Sequence, residues 1–180
     1  GLGVREPVAD MIRVLERQVD AIVARVFSHN NLHIMTNYST IPVVNALSDL
    51  EHPCQALSDL LTILEHKGCL TRLQVAFVGD GNNVASSLAL ACGSVGADFT
   101  LSSPQEYQVD SEVWEEAKRR ASFNQSNMRW VKIPEEAVRN ADVVYTDVWT
   151  SMGQEAEHRE RLKAFEGYQV NNELMAFAKP

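Results

Sequence analysis

Cysteine is scarce in these 180 residues, and the three that occur, Cys54, Cys69 and Cys92, are an odd number at wide spacing. That excludes a disulfide framework and a zinc knuckle, and it fits a reducing compartment. Positive charge is also short: 16 Lys and Arg stand against 24 Asp and Glu, for a formal net charge of −8. No basic cluster is left to neutralise a row of phosphates, so nucleic acid is not an expected partner. Apolar runs such as Val75 to Val78 and Val143 to Tyr145 are far too short to cross a bilayer, and no basic-then-apolar leader opens the chain. The expectation is a soluble, cytoplasmic protein with no membrane partner, although an organelle-targeting segment ahead of Gly1 stays open. Internal repeats and low-complexity stretches are missing as well.

What is present is enough apolar material for a core. With 45% hydrophobic residues, a chain of this size buries roughly 70% of its unfolded surface without staples. The periodicity alternates. Residues 7–18 carry Val8, Met11, Ile12, Val14 and Leu15 at helical spacing, 21–27 are strand-like, and 32–38 return to helix. A strand at 42–47 and a helix from Pro53 to about His66 follow. This order predicts an α/β fold with a parallel sheet flanked by helices. Gly68, in the aperiodic stretch 67–72, marks a boundary between a first, incomplete domain (1–66) and a second (67–180). The second is expected to hold strands at 73–79, 99–102, 128–133 and 143–148. Its helices are expected at 83–95, 112–121, 134–140, 155–165 and 172–178.

The chemistry concentrates at strand-to-helix junctions. In Glu51-His52-Pro53-Cys54-Gln55, proline suits the first helical position, so His52 sits at the junction with Gln55 three positions later. Unpaired N–H groups and a partial positive charge there favour a small anion. Cys54 reads as a small packing residue rather than a nucleophile. Gly79-Asp80-Gly81-Asn82-Asn83 occupies the place of a dinucleotide fingerprint, but Val84 stands where the third glycine belongs. Ser102 and Ser103 stand where a ribose-binding acid would be wanted. A tight turn with an asparagine cap accounts for the glycines but does not require two asparagines. Asp147 ends an apolar strand and needs a partner, either backbone N–H groups of the next turn or a ligand. Arg25, in a strand-like run, must reach water or an anion. Met152 reads as packing and Trp149 as a loop anchor. His29, His33, His66 and His158 read as surface or cap residues, and the run Glu155, Glu157, Arg159, Glu160, Arg161, Lys163 as a solvated helix face.

The string His52-Pro53-Cys54-Gln55 resembles the His-Pro-Cys-Gln motif of the carbamoyltransferases. Asp147-Val148-Trp149-Thr150-Ser151-Met152-Gly153 resembles the amino-acid-binding signature of that family's ornithine branch. The likeness runs over essentially all of the chain and keeps the family's order. Neither Ser-Thr-Arg-Thr, expected ahead of Gly1, nor His-Cys-Leu-Pro, expected after Pro180, occurs, so the chain reads as the middle of a longer enzyme. On its own it is expected to have little or no activity.

The resemblance implies transfer of a carbamoyl group from carbamoyl phosphate to the δ-amine of L-ornithine, giving citrulline and phosphate. By the same resemblance, His52, Arg25 and Gln55 are the catalytic residues and bind carbamoyl phosphate as preorganised donors, while Asn83, Asp147, Ser151 and Met152 bind ornithine. No metal or organic cofactor is called for, and a homotrimer built through the first domain is implied. Putrescine or an acylated ornithine as acceptor, a nicotinamide-dependent oxidoreductase, and a non-catalytic fragment remain as alternatives.

Overall fold

The first of two parallel sheets in the computed structural model, which describes residues 6–151 and 154–180, pairs β1 (Ile22–Arg25) with β2 (Val43–Leu47). Helices α1 (Val8–Leu15), α2 (Asn30–Asn37) and α3 (Pro53–Lys67) accompany it. Val8 and Ile12 of α1 pack with Ala24, Leu32 and Met35. Val14 is two residues on from Ile12, roughly 200° around the helix, and stays 58% exposed. The buried stripe therefore runs out, and α1 is shorter than the predicted 7–18. Pro53 opens α3 at its first turn, and Gly68 ends it in the left-handed region at φ 75°, donating its N–H to the Leu64 carbonyl.

The second sheet has the order β5-β4-β3-β6, with β3 (Gln74–Val78), β4 (Asp98–Ser102), β5 (Met128–Val131) and β6 (Val143–Tyr145), all parallel. Strand β3 is buried on both faces, which is why its apolar run is continuous rather than alternating. Val75 and Phe77 join Leu88, Phe99 and Leu101 on one side, while Ala76 and Val78 join Val138, Phe165 and Tyr168 on the other. Helix α4 (Asn83–Val95) is buried along most of its length because its residues are small. At Gly93 a Cβ would stand 2.8 Å from the Ala117 carbonyl of α5 (Ser111–Phe123). From β3 the chain goes to β4 and β5 on one side and to β6 on the other. The crevice beyond the carboxyl ends of β3 and β6 is thus a topological switch point, the usual place for a ligand in such sheets.

Several elements differ from expectation. Strand β6 stops at Tyr145 instead of reaching Val148, because the Thr146 hydroxyl donates to the Val78 carbonyl at 2.8 Å and closes the ladder. Asp147 therefore lies in a loop and not on the strand. Helix α6 (Pro134–Val138) ends before the predicted Asn140, which takes a positive φ. The helix expected over 155–165 splits into a 3₁₀ turn (Glu155–Glu157) and α7 (His158–Ala164), and α8 (Asn172–Met175) starts from an Asn171 cap and stops short of Ala178.

The solvated face assigned to the charged run fails at Arg161, which is buried at 7% exposure. It lies one helical turn before the wholly buried Phe165 and so shares its inward face. Its Nη1 donates to Asp80 at 2.7 Å and to the Trp149 carbonyl at 3.1 Å, and its guanidinium sits 4.8 Å from the centre of the Tyr107 ring. Burial pushes the Asp80 carboxyl above its ordinary range, more than the Arg161 charge lowers it.

Removing one partner of such a pair leaves a buried charge uncompensated. Arg161→Ala is expected to lose about 3–5 kcal/mol in urea unfolding, while Lys118→Ala, which breaks an exposed ion pair with Glu115, should lose less than about 1 kcal/mol. At Gly81 a Cβ would come within 2.3 Å of the Gln108 and Val109 backbone. Gly81→Ala should therefore cost about 1–3 kcal/mol or more, seen as a lowered thermal midpoint.

Candidate functional site

The carboxyl ends of both sheets open on one cleft of about 800 Å³. Arg25 at the end of β1, His52 at the mouth of α3 and Gln55 in its first turn line it from the first sheet. Asn83 at the start of α4, with Asp147 and Ser151 from the loop after β6, lines it from the second. Met152 lies outside the described residues.

His52 is fixed through its backbone, whose N–H donates to the Ser87 hydroxyl of α4 at 2.7 Å. Its ring is held below the ordinary imidazole pKa, first by burial and then by the Arg25 charge, against a smaller opposing pull from Asp59 and Asp147. The neutral ring is thus favoured at pH 7, with a single N–H to donate. Gln55 donates Nε2 to Asp59 at 2.9 Å. An ionised carboxylate only accepts, so the amide nitrogen must face it, leaving Oε1 and one N–H for a ligand. Gln55 thus keeps an acceptor as well as a donor available to the cleft.

The two asparagines divide their work. Asn82 caps α4 by accepting from the Val84 and Ala85 N–H groups, and its Nδ2 donates to Asp147 at 2.9 Å. The partner of Asp147 is thus a side-chain amide from 65 residues away, not the following turn. Asn83 donates Nδ2 to the Ser48 carbonyl at 2.8 Å, which commits one of its N–H groups to the first sheet's loop and leaves the other, with Oδ1, for the cleft. The loop after β6 is pinned further along. Trp149 stacks on Phe165 at 5.7 Å as the anchor expected of it, the Ser151 N–H donates to Gln154, and the Thr150 hydroxyl meets exposed His158 at 3.1 Å.

Residues passed over in the sequence are also here. Gln154 and Tyr145 line the cleft, and burial, with the Asp59 charge second, pushes the Tyr145 phenol well above its ordinary range. Ser48 is fully buried and receives the Glu51 N–H on its hydroxyl, which also lies 2.8 Å from His29 Nδ1 at the amino end of α2. Alternating polar and apolar spacing carries no signal for any of the three.

The glycine turn is explained by packing, since Gly81 is required by the Gln108–Val109 backbone and Ser102 and Ser103 are fully buried. Cys54 is half-buried and directs its thiol at the Asn45 carbonyl, while burial pushes the Cys92 thiol up to about 12. Among the described residues no group of three or more His, Cys, Asp and Glu is placed to hold a metal ion.

Because the fold favours neutral His52, the stability linked to this group is present above the unfolded value of about 6.5 and is lost as pH falls below it. NMR titration of the ring should give a pKa below that value, and Arg25→Gln should move it upward.

Residues 2–65 match the aspartate/ornithine carbamoyltransferase, carbamoyl-P binding domain, and residues 71–180 match the aspartate/ornithine carbamoyltransferase, Asp/Orn binding domain. The chain is 52% identical over 177 residues to the ornithine carbamoyltransferase of Methanopyrus kandleri, covering 98% of this chain and 56% of that one. It is 50% identical over 179 residues to that of Bacillus subtilis, covering 99% and 56%. The solved ornithine carbamoyltransferase from Pyrococcus furiosus superposes with a TM-score of 0.95 at 48% identity, over 100% of this chain and 57% of that one. The chain thus spans little more than half the length of these relatives, and it belongs to the aspartate/ornithine carbamoyltransferase family.

Proposed function

We propose that the protein carrying this sequence transfers the carbamoyl group of carbamoyl phosphate to the δ-amine of L-ornithine, forming L-citrulline and phosphate. The observation that carries this reading is the single cleft shared by Arg25, His52 and Gln55 on one side and Asn83, Asp147 and Ser151 on the other. Residues 1–66 would serve as the acyl-donor half and 67–180 as the amine half. His52 and Arg25 aim N–H donors at the carbonyl and phosphate oxygens, and the planar guanidinium suits both at once. Gln55 takes the carbamoyl group with its free amide atoms. Asp147 holds the α-ammonium of ornithine and Asn83 its carboxylate, leaving the δ-amine as the reactive end.

That amine has a reference pKa of about 10.4 and must shed a proton before its nitrogen attacks the carbonyl carbon. The carbon–oxygen bond to phosphate then breaks, and the departing phosphate takes the second proton released as the nitrogen becomes a ureido N–H. Orientation of the two reactants contributes most of the rate. The loop residues Thr150, Ser151 and Gln154 carry no charge, which supports ornithine over an amino acid with a second carboxylate. Met152 would line its side-chain channel. The name of the Pyrococcus furiosus relative includes "anabolic", which supports a role in arginine biosynthesis. A cytoplasmic homotrimer working without metal or organic cofactor completes the reading.

A citrulline assay on the complete polypeptide tests it. Formation of citrulline from ornithine and carbamoyl phosphate is expected, with His52→Ala lowering kcat by about 100- to 1000-fold, the effect of losing one such donor. Carbamoylation of aspartate in preference to ornithine, or thermal stabilisation by NAD but not by carbamoyl phosphate, would overturn the assignment.

A further inference from the structure

Asp59 lies one turn beyond Gln55 on α3, beneath the cleft rather than in its lining. Its Oδ1 receives Gln55 Nε2 at 2.9 Å. Its Oδ2 is buried and, among the described residues, has no hydrogen-bond partner. After burial, the Asp59 charge and a side-chain hydrogen-bonding contact with Asp59 push the Tyr145 phenol up, although that contact falls short of a well-formed hydrogen bond to Oδ2. A buried carboxylate oxygen left in this state costs stability, so an apolar side chain would serve the core at least as well. What the carboxylate supplies that an apolar group cannot is an acceptor with no donor of its own. A glutamine amide is nearly symmetric in shape and opposite in polarity at its two ends, so its orientation has to be imposed by a neighbour.

The geometry points to Asp59 as a positioning residue that fixes the Gln55 amide with its nitrogen inward, presenting Oε1 and one N–H to the carbamoyl group. This deepens the proposed function and rests on it. An amide or a hydroxyl at position 59 could accept from Gln55 in one orientation and donate to it in the other, so the Gln55 head group would populate both. The carbamoyl group would then meet the correct pattern in only part of the molecules, and its binding would weaken without any change at the amine end of the cleft.

The test is calorimetric binding of carbamoyl phosphate alone to the complete polypeptide, for wild type, Asp59→Ala, Gln55→Ala, the double variant, and the near-isosteric Asp59→Asn as a folding control. Asp59→Ala should weaken binding on the order of tenfold. The double variant should bind no more than about twofold more weakly than Gln55→Ala, because a residue acting through another contributes nothing once that other is gone. Asp59→Asn should be folded and weakened severalfold, and under turnover both Asp59 variants should raise the KM for carbamoyl phosphate while that for ornithine stays put. An unchanged Kd in Asp59→Ala, or a double variant weakened by the product of the single effects, would sink the positioning role while leaving the transferase reading intact. Failure of wild type to bind carbamoyl phosphate would instead remove the proposed function itself, and this role with it.

Discussion

Asn82 and Asn83, side by side at the start of α4, hold the two flanks of the cleft in relation to each other. One amide caps the helix and orients Asp147, and the next reaches across to the Ser48 carbonyl of the other sheet's loop. The Ser87 hydroxyl, one turn along the same helix, takes the His52 N–H. Three polar side chains on a helix otherwise buried among small residues thus set where histidine and aspartate stand. The helix is well placed for this because it is closely packed: at Gly93 a Cβ would stand 2.8 Å from the Ala117 carbonyl of α5, and Val84, Leu88 and Cys92 belong to the core.

A chain with a net charge of −8 does not attract an anion from a distance, so an anionic ligand would need the sign of the field reversed locally. Arg25 and the amino end of α3, which has no side-chain cap, line the same space and would favour an anion there. The acidic residues near it are already engaged in ways that limit their effect. Asp147 is tied to Asn82, Asp80 is matched with Arg161 away from the cleft lining, and Asp59 is spent on Gln55.

What could be read from the chain follows from how local each cause is. Strand β3 declares itself because burial on both faces leaves no polar residue from Val75 to Val78, and the end of α3 because glycine adopts the positive φ of Gly68 most readily. The His52-Pro53 junction was visible for the same reason: a proline at a first helical turn is a local event. Arg161 was not visible, since its partner Asp80 is 81 residues away and a charged residue in a charged run looks solvated. The paired asparagines stood out as unusual, yet which amide took which partner depends on the separate placement of Ser48 and Asp147. The early end of β6 was hidden because a threonine hydroxyl finishing a ladder leaves no trace in hydropathy.

That three-residue strand has a consequence beyond geometry. Once Thr146 has closed the ladder on Val78, the described residues from Asp147 to Ser151 lie outside sheet register, and a change among them does not turn any strand inside out. Sequence change there is therefore limited by the side-chain anchors of Asp147 and Trp149 rather than by strand pairing, while the packed interior is left as it is.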